Sequence, residues 1–140
     1  MHIYLGKRSI TKQNKSKKNK RKGKYMLKKI PYNLSSDLVK ILMDMGHGDE
    51  IVIADGNFPA RACAQRLIQS PGNGVNSILR SILELFPVDT YVEQPIYLMQ
   101  HGPEVEIPEI WGDFEQTIKN SGEQFNVNYL DRYTFYDQAK

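Results

Sequence analysis

The stretch Glu50-Ile51-Val52-Ile53-Ala54-Asp55 decides the fold reading. Its apolar side chains run on between two acids without polar alternation. That is the pattern of a strand covered on both faces, as in a parallel sheet under helices. Gly56, Asn57 and Pro59 break the run. Immediately before it stands Met45-Gly46-His47-Gly48-Asp49. Further upstream, Leu38, Ile41, Leu42 and Met45 fall on one helical face behind Ser35 or Ser36 as a cap. Gly46 is placed to end that helix in the left-handed conformation. A helix feeding a buried strand is the unit from which layered α/β domains are built.

Working outward, residues 61–68 predict a loop leading to a short strand at Leu67-Ile68, and Pro71-Gly72-Asn73-Gly74 predicts a tight turn. Val75, Ile78, Leu79, Ile82, Leu83 and Phe86 recur at helical spacing until Pro87 stops them, the strongest periodic signal in the chain. Pro95 introduces Ile96-Tyr97-Leu98-Met99 as a strand, and residues 101–108, with Gly102, Pro103 and Pro108, read as a loop. Ile110, Trp111, Phe114 and Ile118 predict an amphipathic helix ending near Gly122, with Trp111 in the core. Residues 125–130 predict a last strand, and Thr134 to Asp137 have the spacing of a capping box at a helix start. Helix and strand alternate throughout, and no internal repeat is visible. The fold class is α/β.

The 140 residues suit one domain, and 40% hydrophobic with 25% charged residues is ordinary for a globular protein. The net charge of +3 hides an asymmetry: residues 1–25 carry ten of the 19 Lys and Arg and no acid, which leaves residues 26–140 at −7. Dense like charge with little to bury predicts a disordered basic extension over 1–25. Such a tail can hold nucleic acid or an anionic membrane nonspecifically, or it can be an extension of no consequence to the fold. No stretch approaches the roughly 18 apolar residues of a membrane helix, and the basic start lacks the apolar core of a secretory signal. A cytoplasmic location is expected. Cys63 is the one cysteine, which excludes an internal disulfide and any multi-cysteine metal site; between Ala62 and Ala64 it reads as a small buried residue.

Few residues are placed to carry chemistry. His47 lies between two glycines that permit close backbone approach, and histidine is the side chain best suited to give and take a proton near neutral pH. On the residues alone it reads equally as a surface histidine in a helix-capping turn. Asp55 closes the apolar strand, where ligands collect in open α/β sheets. His47 and Asp55 stand at opposite ends of that strand and share a pocket only if neighbouring chains or loops bring them together. With only His2 and His101 as further histidines, a zinc site is not expected. Gly72-Asn73-Gly74 lacks both the dinucleotide fingerprint and a Gly-Lys-Ser/Thr continuation.

Several segments together resemble the L-fucose mutarotase family, related to D-ribose pyranase. They are residues 26–31, residues 34–38, Met45 to Glu50, Ala54-Asp55-Gly56-Asn57-Phe58-Pro59-Ala60, residues 85–93 and residues 132–137, in the family's order. The resemblance covers residues 26–140. It implies a three-layer α/β fold with helices on both faces of the sheet, and homo-oligomers with sites near subunit contacts. No metal or cofactor is implied. The implied activity is interconversion of the α and β anomers of a free monosaccharide, L-fucose first, with D-ribose pyranase chemistry as the alternative. The implied catalytic residue is His47, with sugar contacts at Asp55 and Arg132 and a weaker candidate at Tyr136. The chain departs from the family pattern twice. It has Ile68-Gln69-Ser70-Pro71-Gly72 where the family usually shows Ile-Arg-x-Asp-Gly. The family pattern also runs past the position of Lys140 with a strand, a turn and a Tyr-Gly-Asn segment. The expectation is therefore a C-terminally truncated domain with an exposed sheet edge and weak or absent turnover, or an inactive sugar-binding remnant.

Overall fold

The computed structural model describes residues 2–6 (backbone), 27–102, 106, 108–122 and 126–140. In chain order the elements are β1 (His2–Gly6), α1 (Ser36–Asp44), β2 (Glu50–Ala54), α2 (Ala60–Cys63) and α3 (Val75–Leu83). Then follow β3 (Ile96–Met99), α4 (Ile110–Asn120), β4 (Asn128–Leu130) and α5 (Arg132–Gln138). The alternation is that of an α/β domain. No described helix is long and apolar enough to cross a membrane.

The sheet has the order β2-β1-β3-β4. β3 and β4 pair in parallel, as the βα alternation requires, with Tyr97 opposite Asn128. β1 runs antiparallel to both of its neighbours, setting Tyr4 opposite Val52 on one side and Tyr97 on the other. This corrects the disordered reading of 1–25 over its first residues: the backbone of His2–Gly6 fills the middle of the sheet. The remainder of the basic run, 7–25, lies outside the described residues. β2 is also less enclosed than its unbroken apolar run predicts. It stands at the edge, with Ile53 buried and Ile51, Val52 and Ala54 half-buried.

One apolar cluster holds the layers together. Leu38 and Leu42 of α1, Ile78, Leu79 and Ile82 of α3, and Trp111, Phe114 and Ile118 of α4 meet Ile53, Ile96 and Leu98 of the sheet. Removing one such large side chain from water contributes about 1.5–3 kcal/mol. Polar pins fix the helices laterally. Ser81 Oγ donates to Asn33 Oδ1 at 2.7 Å, and Thr117 Oγ1 donates to Asn76 Oδ1 at 2.7 Å, which ties α4 to α3. Phe135 of α5 is buried outside that cluster, with its ring edge-on to Phe58.

Local chemistry sets the element ends. Ser35 caps α1 as expected, its Oγ accepting from Leu38 N at 3.2 Å. The left-handed residue is Gly48 (φ 80°) rather than Gly46, because α1 already leaves helical geometry at Met45. Asp49 then closes the turn, its Oδ2 accepting from Gly46 N at 2.7 Å. An alanine Cβ at Gly48 would meet nothing within 4 Å, so the cost of Gly48→Ala is the backbone's alone. About 1–2 kcal/mol is expected, a fall in Tm of roughly 3–8 °C; an unchanged thermal melt would show that the turn does not keep this geometry. Three further predicted details differ. Residues 61–63 belong to the short helix α2, and no strand forms at Leu67-Ile68. The last strand is confined to Asn128–Leu130, with 123–125 outside the described residues. Asp131, not Thr134, caps α5, accepting from Tyr133 N and Thr134 N at 3.0 and 3.1 Å, and Thr134 Oγ1 also donates to it.

Candidate functional site

The Gly46–Asp49 turn delivers His47 to the amino edge of the sheet. There its Nδ1 stands 3.2 Å from Oδ2 of Asp89, and the rest of the imidazole is about half exposed. Asp89 follows the buried Val88 and is itself fully buried. A carboxylate taken out of water needs donors to replace it. Asp89 has three: Tyr91 N reaches Oδ1 at 2.8 Å, while the His47 ring and Gly48 N, at 3.4 Å, reach Oδ2. Burial pushes this carboxyl up. The Tyr91 N–H, the His47 ring, the Gly48 N–H and the charge that His47 can carry outweigh it, and the net displacement is downward. Asp89 is therefore ionised at neutral pH. Tyr91 returns over the same histidine, ring centroids 4.9 Å apart and nearly perpendicular.

The other candidates lie beyond the carboxyl ends of strands, Asp55 after β2 and Arg132 after β4, which stand at opposite sides of the sheet. Asp55 follows β2 and folds into an Asx turn, Oδ1 accepting from Asn57 N at 2.9 Å. That turn brings Phe58 against Tyr136 of α5, ring centroids 5.5 Å apart. Arg132 opens α5 directly after β4 and is exposed. Asp55, Phe58, Arg66, Ser70, Gln138 and Lys140 line part of a cavity of about 330 Å³, whose inner wall is the apolar side of α1, β2 and α3. His47 does not line it. Four strand steps separate the ends of β2, a span of roughly 13 Å, so one protomer does not bring His47 and Asp55 to the same small molecule. The two edges are separate, as their places on the strand imply.

Asp89 is the residue that sequence reasoning missed. Its signal was faint: a lone acid after Leu85-Phe86-Pro87-Val88, two residues before an exposed tyrosine, with its histidine 42 positions away. His101, read as a loop residue, is held by its own loop, with Nδ1 2.8 Å from Gly102 O and its ring 5.1 Å from that of Trp111. Trp111 and Cys63 are buried as expected. Among the described residues no three His, Cys, Asp or Glu side chains converge as metal ligands would.

Comparison with known proteins adds relatives to this geometry. Residues 28–140 match the model of the RbsD / FucU transport protein family. An L-fucose mutarotase of Histophilus somni is 41% identical over 118 residues, covering 82% of this chain and 81% of its own. The fucose mutarotase of Homo sapiens is 38% identical, covering 81% and 79%. Among solved structures, the fucose mutarotase of Streptococcus pneumoniae in complex with L-fucose superposes with a TM-score of 0.78 at 46% identity, over 81% of each chain. FucU of Bifidobacterium longum superposes at 0.74 with 41% identity, over 80% of this chain and 82% of its own.

Proposed function

The chain belongs to the RbsD / FucU transport protein family, and from that premise we propose that it is an L-fucose mutarotase, an isomerase that interconverts the α and β anomers of the free sugar. The observation that carries the reading is the half-exposed imidazole of His47 seated on the buried, ionised Asp89, in a chain 46% identical to a mutarotase solved with L-fucose.

The chemistry asks little more than a well-placed proton carrier. A base takes the proton from the anomeric hydroxyl, and O1 becomes the carbonyl oxygen of the open chain. The C1–O5 bond breaks with its electron pair going to O5, which takes up a proton. Re-closure on the opposite face of C1 reverses each step and gives the other anomer. His47 is the proposed base and, in its protonated form, the acid for the reverse direction. Asp55, an acceptor, and Arg132, a fork of donors, are the proposed contacts to sugar hydroxyls, with Tyr136 as a weaker one.

A homo-oligomer is part of the proposal. His47 stands at one edge of the sheet and Asp55 and Arg132 at the other, so a second copy is needed to bring both groups to one monosaccharide. The substrate is a free sugar, and the location proposed for the enzyme is the cytoplasm. The test is anomer exchange measured by NMR saturation transfer on L-fucose, with D-ribose in parallel. Exchange of L-fucose well above the protein-free rate is expected. Exchange at the protein-free rate with L-fucose would overturn the assignment, and acceleration of D-ribose alone would move it to the pyranase branch.

A further inference from the structure

We infer that Asp89 is a positioning residue for proton transfer, fixing His47 in the tautomer that carries hydrogen on Nδ1 and presents a bare Nε2 to the sugar. The inference rests on the mutarotase reading and deepens it.

Three observations carry it. First, a carboxylate oxygen only accepts, so an Nδ1 lying 3.2 Å from Oδ2 must carry the hydrogen between them. The remaining ring nitrogen then holds the lone pair, and it lies on the side of the ring turned away from the buried acid. Second, Asp89 is fully enclosed, whereas the imidazole is about half exposed. The fixed partner is the acid, and the ring is oriented by it, as the bond at one imidazole nitrogen sets the state of the other. Third, Asp89 anchors both sides of the histidine at once. Gly48 N binds the oxygen that His47 uses, and Tyr91 N binds the other, which brings the tyrosine ring edge-on to the imidazole. A histidine in a glycine turn has many ring orientations to lose. A buried acceptor, a pinned turn and an aromatic neighbour remove most of them.

The alternative is that Asp89 only ties the 46–49 turn to the 88–91 segment, and the two roles differ in what they move. In the wild-type protein with 15N-labelled histidine, a long-range 1H–15N correlation reads the tautomer directly, the His47 signal being assigned by its loss in His47→Gln. The expected result is a neutral ring protonated on Nδ1 and bare on Nε2. Asp89→Asn replaces one acceptor oxygen with a donor. It should shift the tautomer populations and lower kcat for L-fucose by at least tenfold, within the roughly 10²–10⁴ a positioned acid–base group contributes, while KM stays within about twofold.

A His47 that is protonated mainly on Nε2 in the wild type overturns the inference. So does a folded Asp89→Asn protein that keeps its parent kcat. If Asp89→Asn does not fold, the wild-type tautomer decides alone. A wild type that holds the Nδ1–H tautomer but does not accelerate fucose exchange would refute the mutarotase reading while leaving the Asp89–His47 arrangement standing, so the two failures are separable.

Discussion

Replacing Tyr4 with proline should lower the melting temperature by roughly 10 °C, and removing residues 1–6 should abolish the cooperative melt. β1 lies between β2 and β3, and Tyr4 is paired on both sides, opposite Val52 and Tyr97. Whichever neighbour its N–H faces, a ladder partner is waiting, and proline removes that donor and adds a ring to the ladder. Proline inside a hydrogen-bonded element costs about 3 kcal/mol or more, which at this chain length is roughly 10 °C. Deletion is worse, since β2 then loses the one strand paired with it among the described residues and β3 gains a bare edge. Each ladder hydrogen bond exchanged for water costs about 0.5–1.5 kcal/mol net, and losing those on both sides of a five-residue strand removes an amount comparable to the roughly 5–15 kcal/mol that holds a domain together. Thermal melts by far-UV circular dichroism, with size exclusion to detect edge-to-edge association, are the measurements. A deletion protein that melts cooperatively within a few degrees of the parent would show that the sheet does not depend on this strand.

That strand also marks where sequence reading reached its limit. Elements whose signal is local were legible: α3 from its apolar spacing, β3 from a short run behind proline, the Ser35 cap, and the turn at Pro71–Gly74. β1 was not. It is five residues long and its partners lie some 50 and 90 positions away. The lysines and arginines that begin at Lys7 also set the apparent character of the whole N-terminal stretch. The same physics divides the candidate site. His47 is visible through its glycines and through the resemblance, because its signature is contiguous. Asp89 is visible only once the fold has closed a 42-residue loop and buried the carboxylate. Burial turns an ordinary acid into a fixed acceptor, and burial is not written in five neighbouring letters. The helix end shows a smaller case. Two glycines flank His47, and which of them takes the positive φ depends on where α1 stops, a matter of one or two residues.

The second large effect falls on rate. His47→Ala should remove most of the acceleration of L-fucose exchange, a loss of about 10²–10⁴ over the spontaneous background. The structure makes this separable from stability. His47 is about half exposed and outside the apolar cluster, so truncating it leaves the core intact. Asp89 keeps its two backbone donors and loses one side-chain partner, at a cost of about 1.5–3 kcal/mol for a bond to a charged group. His47→Gln sharpens the comparison, because its amide can still donate toward Asp89 but is not a base near neutral pH. If the loss of rate came from a loosened turn, glutamine should restore part of it. If it comes from the missing basic nitrogen, glutamine and alanine should be equally inactive while their melts differ. Saturation-transfer rates on all three proteins, corrected for protein-free exchange, read the difference. Exchange by His47→Gln at the parent rate would leave the imidazole with no chemical task. The proton would then have to be moved at the opposite edge of the sheet, where Asp55, Arg132 and Tyr136 are the groups at hand.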